Sequence, residues 1–211
     1  MIRIILCDDH AVVRRGIRDT LCEADDITVV AEAASYSEVR EALRKHPCDV
    51  LVLDLNLPGR GGLEVLASLR DSNSSVRVLV VSMLPEDQYA IRCLKAGAQG
   101  YLNKAGEPAE LVVAVRTLMQ GKKYVTASVS QMLVDHLSSP GSAALHTSLS
   151  ERELQTLTKI ASGKRLSDIA TELLLSPKTV SVYRARVLEK LSLQNNAELT
   201  VYAIRQGLVG S

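Results

Sequence analysis

The sequence predicts an α/β unit built on a five-stranded parallel sheet, followed by a smaller all-α unit of four helices. Three observations carry that prediction. Short runs rich in Val, Ile and Leu alternate with amphipathic stretches along the first 120 residues. From Leu149 onward no strand signal occurs, and four short helical patterns follow one another. Between the two parts, SSPGSAALHTS (Ser138 to Ser148) loses all periodicity, and its Ser, Pro and Gly mark a linker. A length of 211 residues also suits two small domains better than one large one.

The strands are expected at Ile2 to Cys7, Ile27 to Ala33, Asp49 to Leu55, Val76 to Ser82 and Gln99 to Lys104. Nearly continuous hydrophobicity in the first, third and fourth implies burial on both faces, as a parallel sheet covered by helices requires. Helical patterns fall between them at Ala11 to Glu23, Ser37 to Lys45, Leu63 to Asp71, Glu86 to Ala96 and Pro108 to Gln120. A further amphipathic piece, Ser128 to Leu137, extends this part toward the linker. The expected boundaries are 1–125 for the α/β domain, 126–147 for the helix and flexible linker, and 148–211 for the helical domain. In the last, Ser150 and Glu153 form a capping box that starts the first helix, and Gly163 closes it.

Composition narrows the function. The balance of 25 Lys+Arg against 24 Asp+Glu, with 46% hydrophobic residues, is that of an ordinary globular chain. No run of 18 apolar residues and no signal peptide are seen, so the protein is expected in the cytoplasm without membrane contact. The four cysteines (7, 22, 48 and 93) show no CxxC spacing and are read as buried thiols, and the four scattered histidines do not suggest zinc. With neither Trp nor Phe, stacking on single-stranded bases is poorly supported. Residues 148–211 hold nine Lys+Arg and six Asp+Glu, a net +3, which leaves −2 for the rest and hints at an anionic partner for the smaller domain.

Parallel sheets bind ligands beyond the carboxyl ends of their strands, and in the strand order 2-1-3-4-5 the switch point lies between strands one and three. Those strands end in acids: Asp8 and Asp9 follow IRIILC, and Asp54 closes DVLVLD. One such acid alone reads equally well as a helix cap or a loop residue. Three converging carboxylates repel one another unless a hard cation shares the site, which makes Mg²⁺ the natural occupant. Asp9, Asp54 and the backbone carbonyl of Asn56 are the expected ligands, with Asp8 holding waters. Asp54 is then a candidate nucleophile. Ser82 and Lys104, at the ends of strands four and five, offer a hydroxyl and a point charge to phosphoryl oxygens. PGRGG (Pro58 to Gly62) lacks the Lys-Ser/Thr ending of a nucleotide-binding loop and reads as a turn into the next helix.

The set Asp8-Asp9, Asp54 followed by LNLPG, Ser82, Tyr101 and Lys104, in this order over residues 1 to 125, resembles the flavodoxin-like receiver domain of two-component response regulators. The resemblance implies that Asp54 accepts a phosphoryl group from a histidine kinase or phosphotransfer protein. It also implies that Ser82 moves toward the phosphate and Tyr101 turns inward; from residues alone, Tyr101 reads as a half-buried edge-strand aromatic. Ala105 stands where such domains frequently carry a proline, so the loop geometry is left open.

In the helical domain, IASGKRLSDIATELLLSPKTVSVYRARVLEKLSL reads helix, turn, helix, with Ser176 as cap and Pro177 as first residue of the second helix. Val180, Tyr183, Val187 and Leu191 recur at helical spacing and should face the core. Lys178, Ser181, Val182 and Ala185 project elsewhere, flanked by Arg184, Arg186 and Lys190. Small residues in the middle with cations at the edges suit a major groove; a solvated amphipathic helix fits the pattern as well. The stretch from Leu149 to Leu199 resembles the LuxR-type DNA-binding domain, and behind a receiver it gives the NarL/FixJ-type architecture, most similar to the GacA/UvrY and BvgA branches. That resemblance adds Thr179 to the candidate DNA contacts. The expected function is a transcription regulator, not an enzyme, that dimerises on phosphorylation through the last helix (Asn195 to Gln206) and binds paired half-sites of double-stranded DNA. Two alternatives compete with it: an aspartyl-phosphate hydrolase, for which Asn56 stands where a second acid is needed, and a constitutive DNA binder with a vestigial receiver.

Overall fold

The structure, a computed structural model, describes residues 1–138 and 145–209, so the middle of the expected linker lies outside the described residues. The chain divides into two compact units, Met1–Asp135 and His136–Ser211. In the first, β1 (Ile2–Cys7), β2 (Ile27–Ala33), β3 (Val50–Leu53), β4 (Arg77–Ser82) and β5 (Gly100–Asn103) form one parallel sheet. Its order is β2-β1-β3-β4-β5, the order expected from the sequence. Five helices follow the strands in turn: α1 (Ala11–Cys22), α2 (Tyr36–Lys45), α3 (Gly62–Asp71), α4 (Glu86–Ala96) and α5 (Pro108–Met119).

Side chains alternate across each strand, and in β1, β3 and β4 both sets are largely buried, whereas the edge strand β2 keeps most of its residues partly exposed. Ile4, Leu6, Val50, Val52, Leu79 and Val81 pack into a core with Leu21 of α1 and with Leu111, Ala114, Val115 and Leu118 of α5. The opposite set, including Ile5, Leu51, Leu53 and Val80, is equally inaccessible. Each fully buried aliphatic side chain contributes about 1.5–3 kcal/mol, which is how a chain without Phe or Trp closes its core. Helix α2 starts at Tyr36, one residue before the expected Ser37, because the Ser35 hydroxyl caps it by accepting from the Glu38 N–H. Two of the four thiols depart from the expected burial: Cys7 and Cys93 are buried, Cys48 is intermediate, and Cys22, the last residue of α1, is exposed.

Helix α6 (Ala127–Ser138) follows α5. In the second unit a single 3₁₀ turn (Leu145–Ser148) leads into α7 (Glu151–Ala161), α8 (Leu166–Glu172), α9 (Pro177–Leu191) and α10 (Asn196–Arg205). The Ser150–Glu153 capping box forms in both directions. Helices α7 to α10 all end on a left-handed residue, namely Gly163, Leu174, Ser192 and Gly207. At each, the next N–H reaches back five residues, as from Leu175 to Ala170 O at 2.8 Å, the bond that satisfies carbonyls orphaned at a helix end. None of the described helices is long and apolar enough to cross a membrane.

Candidate functional site

Strands β1 and β3 are neighbours, so their carboxyl ends bring Asp8, Asp9 and Asp54 together. Ligand atoms of Asp8, Asp9, His10 and Asp54 lie within 4.8 Å of one another. Asp8 and Asp54 are buried, at 1% and 3% exposure. The Asp8 carboxylate accepts from the His10 N–H at 2.8 Å and so shapes the turn into α1. The Asn56 N–H lies 3.3 Å from Asp54 Oδ1, which sets the backbone of residue 56 beside that carboxylate.

Lys104, just past β5, places its Nζ 2.6 Å from Asp8 Oδ2 and 2.7 Å from Asp54 Oδ2. Burial alone would lower the Lys104 pKa, but the hydrogen bonds and charges of Asp54 and Asp8 outweigh it, so the ammonium is held above its ordinary range. Beyond the Lys104 ammonium, the buried Asp8 Oδ2 has no further hydrogen-bond partner among the described residues. An electron-rich oxygen in this position, within an oxygen-dominated donor set, suits a hard divalent cation such as Mg²⁺. The residues therefore fit the expected ion.

The candidate switch residues meet at Leu84. Ser82, fully buried, receives the Leu84 N–H at 3.4 Å, and the Tyr101 hydroxyl donates to the Leu84 carbonyl at 2.7 Å. Tyr101 is 0% exposed and already points inward, which corrects its reading as a half-buried edge aromatic. Burial pushes its phenol pKa well up. After Lys104 the loop turns on Asn103, whose side chain accepts from the Ala105 N–H at 2.9 Å, and the described residues contain no cis peptide bond.

His10 is the pocket residue that the sequence reading missed. Its Nδ1 sits 2.7 Å from Asp9 Oδ1. A histidine directly after the acid pair was the available signal. PGRGG carries a constraint of its own: a Cβ on Gly62 would stand 2.5 Å from the Asp54 carbonyl oxygen. The glycine lets α3 press against the segment that holds the acid.

In the second unit, α8, a tight turn and α9 form the expected helix-turn-helix. Ser176 caps α9 by accepting from the Thr179 N–H at 3.1 Å, and Pro177 is its first residue. Val180, Val187 and Leu191 are buried as expected, whereas Tyr183 is intermediate. Lys178, Ser181, Val182, Ala185 and Arg186 are exposed, and Thr179 and Arg184 are half-buried. Arg184 Nε donates to Asn196 on α10. Lys190 is exposed at the edge as expected, and its Nζ also lies 2.6 Å from Oε2 of Glu153, itself 3% exposed. Burial would raise the Glu153 pKa, but Lys190 and the Ser150 backbone bond hold it below its usual range.

Comparison with known proteins agrees with both halves. Residues 4–116 match the response regulator receiver domain, and residues 147–203 match the luxR family of bacterial regulatory proteins. The chain is 39% identical to the response regulator GacA of Pseudomonas protegens over 209 residues, covering 99% of this chain and 98% of that protein. It is 37% identical to the response regulator UvrY of Escherichia coli K12, covering 99% and 96%. Among solved structures, RcsB from Salmonella enterica serovar Typhimurium bound to promoter rprA with the phosphomimetic BeF₃⁻ matches with a TM-score of 0.64. That match is 27% identical and covers 95% of this chain and 97% of the other. With its acid pocket at the ends of β1 and β3, and its helix-turn-helix behind, the chain belongs to the NarL/FixJ-type two-component response regulators, in which a receiver domain precedes a LuxR-type DNA-binding domain.

Proposed function

We propose that Asp54 is the phosphoryl acceptor of this transcription regulator, and that its phosphorylation promotes dimerisation and binding to paired half-sites in double-stranded DNA. The observation that carries the reading is the buried trio in which Lys104 bridges Asp8 and Asp54. The phosphoryl group comes from a histidine of a sensor kinase or phosphotransfer protein: an Asp54 oxygen bonds to phosphorus as the P–N bond breaks and the imidazole leaves. Asp9, Asp54 and the Asn56 carbonyl would hold Mg²⁺, with Asp8 behind them. When bound, the ion neutralises charge on the phosphoryl oxygens.

Lys104 moves its charge from the Asp54 carboxylate to a phosphoryl oxygen. The Ser82 hydroxyl then leaves the Leu84 N–H for the phosphate, and Tyr101 keeps the Leu84 carbonyl in the inward arrangement. The receiver is assigned to 1–125, the connecting helix and linker to 126–147, and the DNA-binding domain to 148–211. Lys178, Thr179, Ser181, Val182, Arg184, Ala185 and Arg186 form the DNA-contacting set, with Val182 available to a thymine methyl group. Lys190 is already engaged by Glu153 and stands outside that set. The exposed Val201 and Ile204 of α10 support that helix as the dimer surface. RcsB, solved bound to a promoter in the presence of a phosphomimetic, supports DNA binding by the phosphorylated form here. The protein works in the cytoplasm as a substrate of phosphoryl transfer rather than as an enzyme.

Sedimentation of wild type and Asp54→Asn, with Mg²⁺ and a small acyl phosphate, tests this directly. Wild type should dimerise on phosphorylation and Asp54→Asn should stay monomeric with its fold intact. Equal dimerisation of both would remove Asp54 from the mechanism.

A further inference from the structure

The turn that carries both β1 acids leaves the sheet at Asp8. Its N–H still donates to Ala33 O of β2 at 3.0 Å, but a carbonyl beyond the last ladder bond needs a donor from elsewhere. Arg14, in the first turns of α1, supplies one: its Nη1 donates to the Asp8 carbonyl at 2.6 Å. Its Nε donates to Glu32 Oε2 at 2.9 Å. Glu32 pairs with Leu6 across the β1–β2 ladder, and its other oxygen receives Arg18 Nη1 at 3.0 Å. The Arg14 side chain is 19% exposed. One planar guanidinium thus fastens the acid turn to the neighbouring strand.

We propose that Arg14 is a positioning residue for the divalent cation. The Asp8 carbonyl and the Asp9 nitrogen share one planar peptide unit, so fixing that oxygen fixes the direction in which the chain leaves for Asp9. Three carboxylates near one another repel, and a turn with a loose peptide would let Asp9 swing away before the ion arrives. Arg14 keeps Asp8 and Asp9 assembled without it. The inference rests on reading the acid cluster as a Mg²⁺ site.

Arg14 also brings a positive charge close to the acids, and that charge opposes a cation. The two effects have opposite signs and separate in Arg14→Lys, which keeps the charge and loses the two-ended fork. The experiment titrates full-length protein with Mn²⁺ and follows the free ion by electron paramagnetic resonance, with Mg²⁺ as competitor. Arg14→Lys should bind Mn²⁺ about tenfold more weakly than wild type. Phosphorylation by a small acyl phosphate at saturating Mg²⁺ should stay within about twofold, a split that general loss of structure would not produce. Glu32→Gln, which keeps the guanidinium and weakens its outer anchor, should shift Mn²⁺ affinity in the same direction by less. Wild-type affinity in Arg14→Lys overturns the proposal, as does a tighter-binding Arg14→Ala, the result expected from charge alone. If wild type takes up no Mn²⁺ that Mg²⁺ displaces, the metal-site reading fails and the proposal falls with it, an outcome distinct from equal binding by wild type and variant.

Discussion

Gly62→Ala should displace Asp54 without touching its side chain. A methyl group at this first residue of α3 would lie 2.5 Å from the Asp54 carbonyl oxygen and 2.8 Å from Leu55 Cα, where ordinary contact begins near 3.4 Å. The backbone must therefore yield by about 0.9 Å, and neither neighbour is a side chain that can rotate away. The bond from Gly62 N to Leu55 O, 2.9 Å long, is strained by the same shift. Helix propensity favours alanine by about 0.5–1 kcal/mol, but overpacking costs about 1–3 kcal/mol, so net destabilisation is expected. A reacting group misplaced by about 1 Å loses on the order of a hundredfold in rate. Urea midpoints and the rate of phosphorylation by a small acyl phosphate at saturating Mg²⁺ measure both effects. Gly16→Ala, with nothing within 4 Å of its new methyl group, is the control and should be slightly stabilised. A Gly62→Ala protein with wild-type midpoint and rate would refute the argument that this contact sets the position of Asp54.

Three further perturbations have defined outcomes. Leu174 holds φ +55° while 71% exposed, so Leu174→Asn should add about 1 kcal/mol of stability, read as a higher unfolding midpoint; a lower midpoint would contradict the strain. The Arg3 guanidinium beside Asp49 holds its carboxyl down to about 2, below the ordinary 3.8. A depressed folded pKa stabilises above the unfolded value and is lost as pH falls through the folded one. Asp49→Asn should thus cost about 1 kcal/mol at pH 7, discounted for the half-exposed guanidinium, and the difference should shrink between about pH 4 and pH 2; a gap independent of pH would count against it. Lys190→Ala leaves Glu153 buried without its cation and should cost about 1–2 kcal/mol of stability, leaving the salt dependence of DNA binding unchanged. A slope reduced by about one would instead make Lys190 a phosphate contact.

Much of this was legible in the sequence where local chemistry and tertiary structure agree. The runs of β1 and β2 match the observed strands residue for residue because their hydrophobicity ends where the ladder ends. Strand β3 was read too long, at Asp49 to Leu55: Asp49 and Asp54 still donate to Arg3 and Cys7 carbonyls, but they already turn out of the ladder. The start of α9 was fixed by Ser176-Pro177, and the meeting of the acids followed from the strand order. Apart from the acid cluster, side-chain contacts between distant residues were not legible. Tyr101 looked like an edge aromatic, yet its burial comes with an anchor on Leu84, 17 residues earlier. Lys190 has the spacing of a free surface cation, and its partner lies 37 positions away. The need for Gly62 is visible only once α3 is packed against the Asp54 backbone.

The central claim, that phosphoryl transfer to Asp54 controls sequence-selective DNA binding, is tested most directly on a pool of genomic DNA fragments at fixed salt. Wild type and Asp54→Asn are compared with and without Mg²⁺ and a small phosphoryl donor. The account predicts selective binding that strengthens in phosphorylated wild type alone. Selective binding indifferent to the donor, or no selective binding under any condition, would contradict it.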